Sequence, residues 1–422
     1  MPISFRRRGA VRALALALSG ALLAACGLIG ESDDGRTLTV WLMEGSLTDG
    51  LTRDLVRDHE AQHPGVEVEV VVQQWPGIDR KVTAALRSGD GPDVIEVGNT
   101  QVAQYVQTGK VQNLTVRMMD LGSDEWLPAL GASGQVDGFQ YGVPFYAANR
   151  VVVYRKDLFE AAGIDSPPRT RDAWLTATAA LDAPPGQQGI YLPGRNWYVL
   201  AGFVWDEGGR LADERSGRWS GALDTPQALR AMDFYRELQS HGEAPPASDE
   251  ANPDQEQVFA EGRVAQLITV PGGARLITDA NPDLKGKLGF FPVPGEKPGE
   301  PCAVFTGGSV LIMPDGEGLD EEAYAFVKLL SGDRWQRRIA GEMSYVPNKA
   351  RLAGALDGDP GAEAMARAAE HGHTVPASPS WGTLEADNPI TRYMTAVLRG
   401  EAKRPAAQRA SATISRVLNG TG

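Results

Sequence analysis

Apolar and polar positions follow a repeating order near the start of the chain. Thr37-Leu38-Thr39-Val40-Trp41-Leu42 is short, β-branched and apolar, which predicts a buried strand. Leu47, Leu51, Leu55 and His59 then recur every four residues, marking one face of a helix that ends at Pro64-Gly65. In Val66-Glu67-Val68-Glu69-Val70 valines alternate with carboxylates, the period of a second strand. A helix over 79–87 leads to a third strand over 93–97. Strands and helices that alternate in this way imply a parallel sheet with right-handed crossovers, and so an α/β fold.

The pattern resumes after Pro144. Strands are predicted over 151–154, 264–270, 288–291 and 310–313, and helices over 174–181, 227–238 and 321–330. A further helix surrounds Trp335, and late helices cover 362–370 and 391–398 before an alanine-rich tail. Proline and glycine dominate 292–301, a loop between elements. The sequence has 422 residues. About 400 would remain after removal of a leader, well above the size at which single cores split, so two domains are expected.

Arg6, Arg7, Arg8 and Arg12 form a positive region around an apolar run over 11–23, too short to span a bilayer. Ala24-Ala25-Cys26 follows and matches the lipobox of bacterial lipoproteins. Residues 1–25 are therefore expected to be a signal peptide, Cys26 the lipidated first residue, and 26–36 a tether. Lipid anchoring at Cys26 would place the work outside the cytoplasmic membrane, with attachment resting on the acyl chains alone. Loss of the leader removes four arginines and no acids, taking the formal charge from −13 to −17. An acidic chain of this kind excludes nucleic acid as a partner. Only Cys302 remains beside Cys26, so no intramolecular disulfide is expected.

Two motifs suggest catalysis. His59-Glu60-Ala61-Gln62-His63 matches the zinc-binding helix of metalloproteases, but Pro64 ends the helix at once and no third histidine ligand has suitable spacing. It reads better as a helix end, with no metal. Asp206-Glu207 resembles a glycosidase pair, yet adjacent side chains point apart, whereas acid and nucleophile must face one another across a sugar. No dinucleotide fingerprint, phosphate loop or nucleophile elbow is present, so no cofactor is expected. Aromatics in loop settings point instead to binding: Trp75, Tyr146, Trp197 and Tyr198 beside Asn196, Trp205 and Trp381. Aromatic rings cover the C–H faces of pyranoses while amides and carboxylates hold the hydroxyls.

Several stretches resemble, in order and spacing, the extracytoplasmic solute-binding proteins of carbohydrate ABC importers, the group that includes maltose-binding protein. They are His63-Pro64-Gly65 with its following strand, Ser88-Gly89-Asp90-Gly91-Pro92-Asp93-Val94, Tyr141-Gly142-Val143-Pro144, Tyr154-Arg155-Lys156-Asp157-Leu158, Gly307-Gly308-Ser309 and Tyr345-Val346-Pro347. The resemblance implies a two-lobed periplasmic-binding-protein type II fold with a hinge and discontinuous domains. Lobe 1 would comprise 37–146 and 307–347, and lobe 2 147–306 and 348–422. It also implies a monomeric receptor that delivers sugar to ABC permease subunits in the membrane. Carried over by position, sugar contacts would come from Glu44, Trp75, Asn99, Thr100, Tyr146, Asn149, Asn196, Trp197, Tyr198, Trp205, Glu207 and Trp381. Pro271-Gly272-Gly273 stands where many relatives have Gly-Pro-Trp, so one stacking ring is missing. Maltose-, trehalose-, cellobiose- and aminosugar-type ligands all fit such a cleft. The alternative from another class is a surface-anchored hydrolase, a glycosidase or a zinc peptidase.

Overall fold

The computed structural model describes residues 36–420 except positions 76, 271, 317, 318 and 357. The expected signal peptide over 1–25, Cys26 and the expected tether over 26–36 lie outside the described residues, except that Arg36, the last residue assigned to the tether, already begins the first strand. Ten strands build the two principal sheets: β1 Arg36–Met43, β2 Val66–Gln73, β3 Val94–Gly98, β4 Gly142–Asn149, β5 Val151–Arg155, β6 Gln266–Thr269, β7 Leu288–Phe291, β8 Val304–Ile312, β9 Val346–Pro347 and β10 Gly372–His373. The larger sheet runs β9-β4-β8-β3-β1-β2, with β10 beside β8, and the smaller runs β6-β5-β7.

The parallel arrangement expected from the sequence holds for β1 with β2 and β3. β8 is antiparallel to both β3 and β4, so the large sheet is mixed. Alternation explains the faces. Leu38, Val40, Leu42, Val66 and Val68 turn to one core beneath Leu51 and Leu55 of helix α1, Asp49–Gln62, while Glu67 and Glu69 stay in water. Ile78, Val82 and Leu86 of α2, Ile78–Ser88, are buried on the opposite side with Ile95 and Val97. Each such side chain contributes about 1.5–3 kcal/mol on burial.

The remaining helices that bear on the site are α3 Val102–Val106, α4 Arg171–Asp182, α5 Trp197–Asp206, α6 Pro226–Gln239, α7 Asp320–Leu330, α8 Asp333–Met343, α9 Pro360–Ala369, α10 Trp381–Ala386, α11 Pro389–Leu398 and α12 Lys403–Leu418. Four differ from the sequence reading, and the first, α3, has no counterpart in it. Trp197, Tyr198 and Trp205 stand on α5 rather than in loops, because that helix is buried almost all round and shows no amphipathic stripe. Trp381 opens α10, and the alanine-rich tail is α12.

Strand β4 is interrupted by Pro144, which cannot donate to a ladder. The register of β8 on β4 shifts between Ser309 and Val310, the residue opposite Pro144, so a bulge absorbs the missing donor. The chain passes from the large sheet to the small one through Arg150 alone, the residue between β4 and β5. It returns between β7 and β8, and after β9 it leaves again to pack α9 against β5 and β7. Among the described residues no helix is long and apolar enough to cross a membrane.

Candidate functional site

A cavity of about 520 Å³ opens where the strands cross between the sheets, lined from one side by Trp75, Asn99, Thr100 and Tyr146 and from the other by Tyr198, Glu250 and Glu385. Arg150, Phe305 and Ser309 lie on or beside the crossing strands and complete the wall.

Tyr146 forms the floor. Its ring stacks on Tyr345, with centroids 4.1 Å apart and planes 7° from parallel. Its hydroxyl donates to Glu96 Oε1 at 3.3 Å and accepts from Ser309 Oγ at 3.2 Å. Glu96 is fully buried and accepts from the Met43 backbone N–H at 2.8 Å and from Ser46 Oγ at 2.7 Å. Burial raises its carboxyl above the usual range, and these donors only partly oppose the rise. Nearby, Asn99 Nδ2 donates to the Thr306 carbonyl at 2.6 Å, which fixes the end of β3 against β8. On its other side β8 meets β4 closely at Gly308: at φ +137°, a β-carbon here would stand 2.2 Å from the Tyr146 carbonyl oxygen.

The opposite wall is ordered around Arg150. Its guanidinium holds Glu250 with two bonds, Nε to Oε1 at 3.0 Å and Nη2 to Oε2 at 2.7 Å, and lies 4.3 Å above the Tyr198 ring. Asn196 caps α5 by accepting from the Val199 N–H at 3.3 Å, and its Nδ2 donates to Glu250 Oε1 at 3.1 Å. Tyr198 donates its hydroxyl to Glu385 Oε1 at 3.0 Å. Behind these groups Trp197 packs against Tyr198, Phe305 and Trp381, with ring centroids 4.2, 5.8 and 6.0 Å away.

Of the residues proposed from the sequence, Trp75, Asn99, Thr100, Tyr146 and Tyr198 share this cavity. Asn149, Asn196, Trp197 and Trp381 are buried and outside its lining. Asn149 donates to Thr306 Oγ1 at 3.4 Å, and Trp381 is 0% exposed. Glu44 is exposed beyond the end of β1 and does not line the cavity. Trp205 lies eight positions along α5 from Trp197 and faces a separate cavity of about 570 Å³, where it stacks on His373 at 5.2 Å. Glu207 is a structural ion-pair partner, held by Arg171 at 3.0 Å and Arg230 at 2.7 Å with its side chain 8% exposed. Asp206 pairs with the same Arg171 at 2.7 Å, so the acidic pair clamps α5 to α4 instead of facing a substrate. Sequence reading missed Arg150, Glu250, Phe305, Ser309 and Glu385. Only Glu385 carried a signal, since it follows Trp381 by one helical turn and shares its face.

The histidine motif completes α1. His59 is buried with Nε2 3.2 Å from the Glu322 carbonyl, it stacks on His63 at 4.5 Å, and Glu60 accepts from the Val68 N–H at 3.1 Å. Among the described residues no group of side chains is placed to hold a metal.

Residues 44–337 match the profile described as bacterial extracellular solute-binding protein. The chain belongs to that family. It is 36% identical to the diacetylchitobiose binding protein DasA of Streptomyces coelicolor, over 98% of this chain and 99% of that one. Its fold is similar to the sugar-binding protein MalE from the phytopathogen Xanthomonas citri, with a TM-score of 0.81 at 22% identity over 91% of this chain and 98% of that one. It is also similar to the GacH receptor of Streptomyces glaucescens, solved unliganded and with acarbose, with a TM-score of 0.76 at 25% identity over 91% and 98%. The two-lobed fold expected from the sequence is thus the observed one. Solute-binding proteins of this sugar-importer type are binders that act outside the cytoplasm, not enzymes, which removes the hydrolase alternative.

Proposed function

We propose that this protein is the lipid-anchored receptor of an ABC importer and that it captures a short N-acetylated oligosaccharide of the diacetylchitobiose class. The carrying observation is the 520 Å³ cavity between strands of the large sheet and the segments that carry Tyr198, Glu250 and Glu385: an indole from Trp75, a phenol from Tyr198, and acceptors and donors from Asn99, Thr100, Glu250 and Ser309. That volume lies within the range of about 300–1,000 Å³ typical of small-molecule sites. The whole-length similarity to a diacetylchitobiose binding protein supports the N-acetylated class. Lobe 1 is assigned to 37–146 and 307–347, lobe 2 to 147–306 and 348–422. Because each lobe supplies part of the contact set, ligand shifts the population towards closure, the form delivered to the permease. The receptor acts as a monomer held to the membrane by acylated Cys26.

Thermal shift against a panel of diacetylchitobiose, maltose, cellobiose and trehalose tests the ligand class. Saturation at 100 times Kd contributes about 2.7 kcal/mol, enough to raise the melting temperature visibly. Diacetylchitobiose should give the largest shift; a larger shift with maltose or trehalose overturns the assignment. Cys26→Ala should release the protein from membrane fractions, and full retention there refutes the anchor.

A further inference from the structure

Three charged side chains line the cavity: Arg150, Glu250 and Glu385. Arg150 and Glu250 neutralise one another through two hydrogen bonds, and Asn196 adds a third contact on Glu250. Glu385 has no such partner. Among the described residues no cation pairs with it; the groups that face it are the hydroxyls of Tyr198, at 3.0 Å, and Thr100, and the buried Trp381 indole N–H, which lies beside it without closing a regular hydrogen bond. All are neutral. Their donors hold the half-buried carboxylate at the cavity wall without supplying an opposite charge. Burial destabilises its charged form, and these donors only partly restore it.

We infer that Glu385 is the counter-ion for an ammonium group on the ligand, so that the cleft accepts partly deacetylated chitooligosaccharides alongside the acetylated disaccharide. This rests on the proposed aminosugar class and deepens it. A ligand ammonium replaces missing charge and donates to the carboxylate at once, whereas a hydroxyl or acetamido N–H does only the second. The site also discriminates against anionic sugars such as uronates, which would place a second carboxylate against Glu385.

Calorimetric titration of the full chain with diacetylchitobiose and with fully deacetylated chitobiose, at pH 6 where the amines are protonated, tests the inference. The native protein should bind both. Glu385→Gln, which keeps the shape and the acceptor for Tyr198, should move the ratio of the two affinities at least tenfold against chitobiose, whatever it does to the acetylated sugar. Glu385→Asp, which keeps the charge, should move that ratio less. Binding of diacetylchitobiose without chitobiose, or a ratio unchanged in Glu385→Gln, overturns the counter-ion role and leaves the proposed function standing. Binding of neither sugar refutes the proposed function itself.

Discussion

A β-carbon placed on Gly382, the second residue of α10, would stand 2.0 Å from Oε1 of Gln104 on α3. Helix α3 follows β3 of the large sheet, and α10 packs on α12 and carries Glu385 of the opposite cavity wall, so this contact joins segments from the two sides of the cavity. The atom met is the end of a flexible side chain. Gly382→Ala should therefore be absorbed by a shift of Gln104, with affinity changed less than about threefold. Gly382→Phe should prop the mouth open and weaken saccharide binding about tenfold or more, equivalent to about 1.4 kcal/mol, while the melting temperature of the ligand-free protein holds. Unchanged affinity in the phenylalanine variant would show that this contact plays no part in closure.

Trp75 and Trp381 should separate binding from folding. Trp75 is 39% exposed at the cavity, and Trp75→Ala should cost about 1–3 kcal/mol of affinity with little change in melting temperature. Trp381 is fully buried against Trp197, so Trp381→Ala should cost about 3–5 kcal/mol of stability. Paired melting and titration of both variants checks this, and a stable Trp381→Ala protein that has lost only affinity would contradict the burial.

Glu96 makes stability depend on pH. Its folded-state carboxyl is raised by burial, so its favourable contribution is complete below the unfolded value and is lost as pH rises through the folded one. The slope from this one group is at most about 1.4 kcal/mol per pH unit. Glu96→Gln removes the titration, so the variant should gain melting temperature relative to the native protein as pH is raised from 4 to 8. A difference that stays constant across that range defeats the assignment.

Cys302 should be inert in the folded protein. It is 0% exposed, and burial first, with the Asp206 carboxylate second, pushes its thiol up to about 12. Mass spectrometry after iodoacetamide treatment should find it unmodified under native conditions and labelled in denaturant. Stoichiometric native labelling would place the thiol at the surface.

What the sequence discloses depends on whether each residue's environment is set locally. The valine and carboxylate alternation of β2 needs only one buried and one wet face, so it is legible without the fold. β4 is hidden because Pro144 reads as a break until the bulge opposite it is seen. The strand over Val304–Ile312 reads short for a related reason: Gly307-Gly308-Ser309 looks like a turn, although Gly308 is there to let Tyr146 approach. Aromatics near chain breaks led to Trp75, Tyr146 and Tyr198. Nothing local distinguishes Glu250 from other exposed-looking carboxylates, because Arg150, which gives it a role, lies 100 positions away. The same limit sent Trp205 and Glu207 to the cleft: only the length of α5 shows that they sit at its far end.

The one-residue crossing at Arg150 also orders events in time. In any rotation of one lobe against the other, atoms on the axis barely move, and the side chains nearest the crossing strands are Tyr146, Arg150 and Phe305. A sugar can touch these before the clamp has shut. Trp75 and Glu385 lie on segments outside those strands, so under the proposed closure they would complete their contacts only as the lobes swing in. Substitutions near the axis should therefore act on the rate of capture, and substitutions on the swinging walls on the rate of escape.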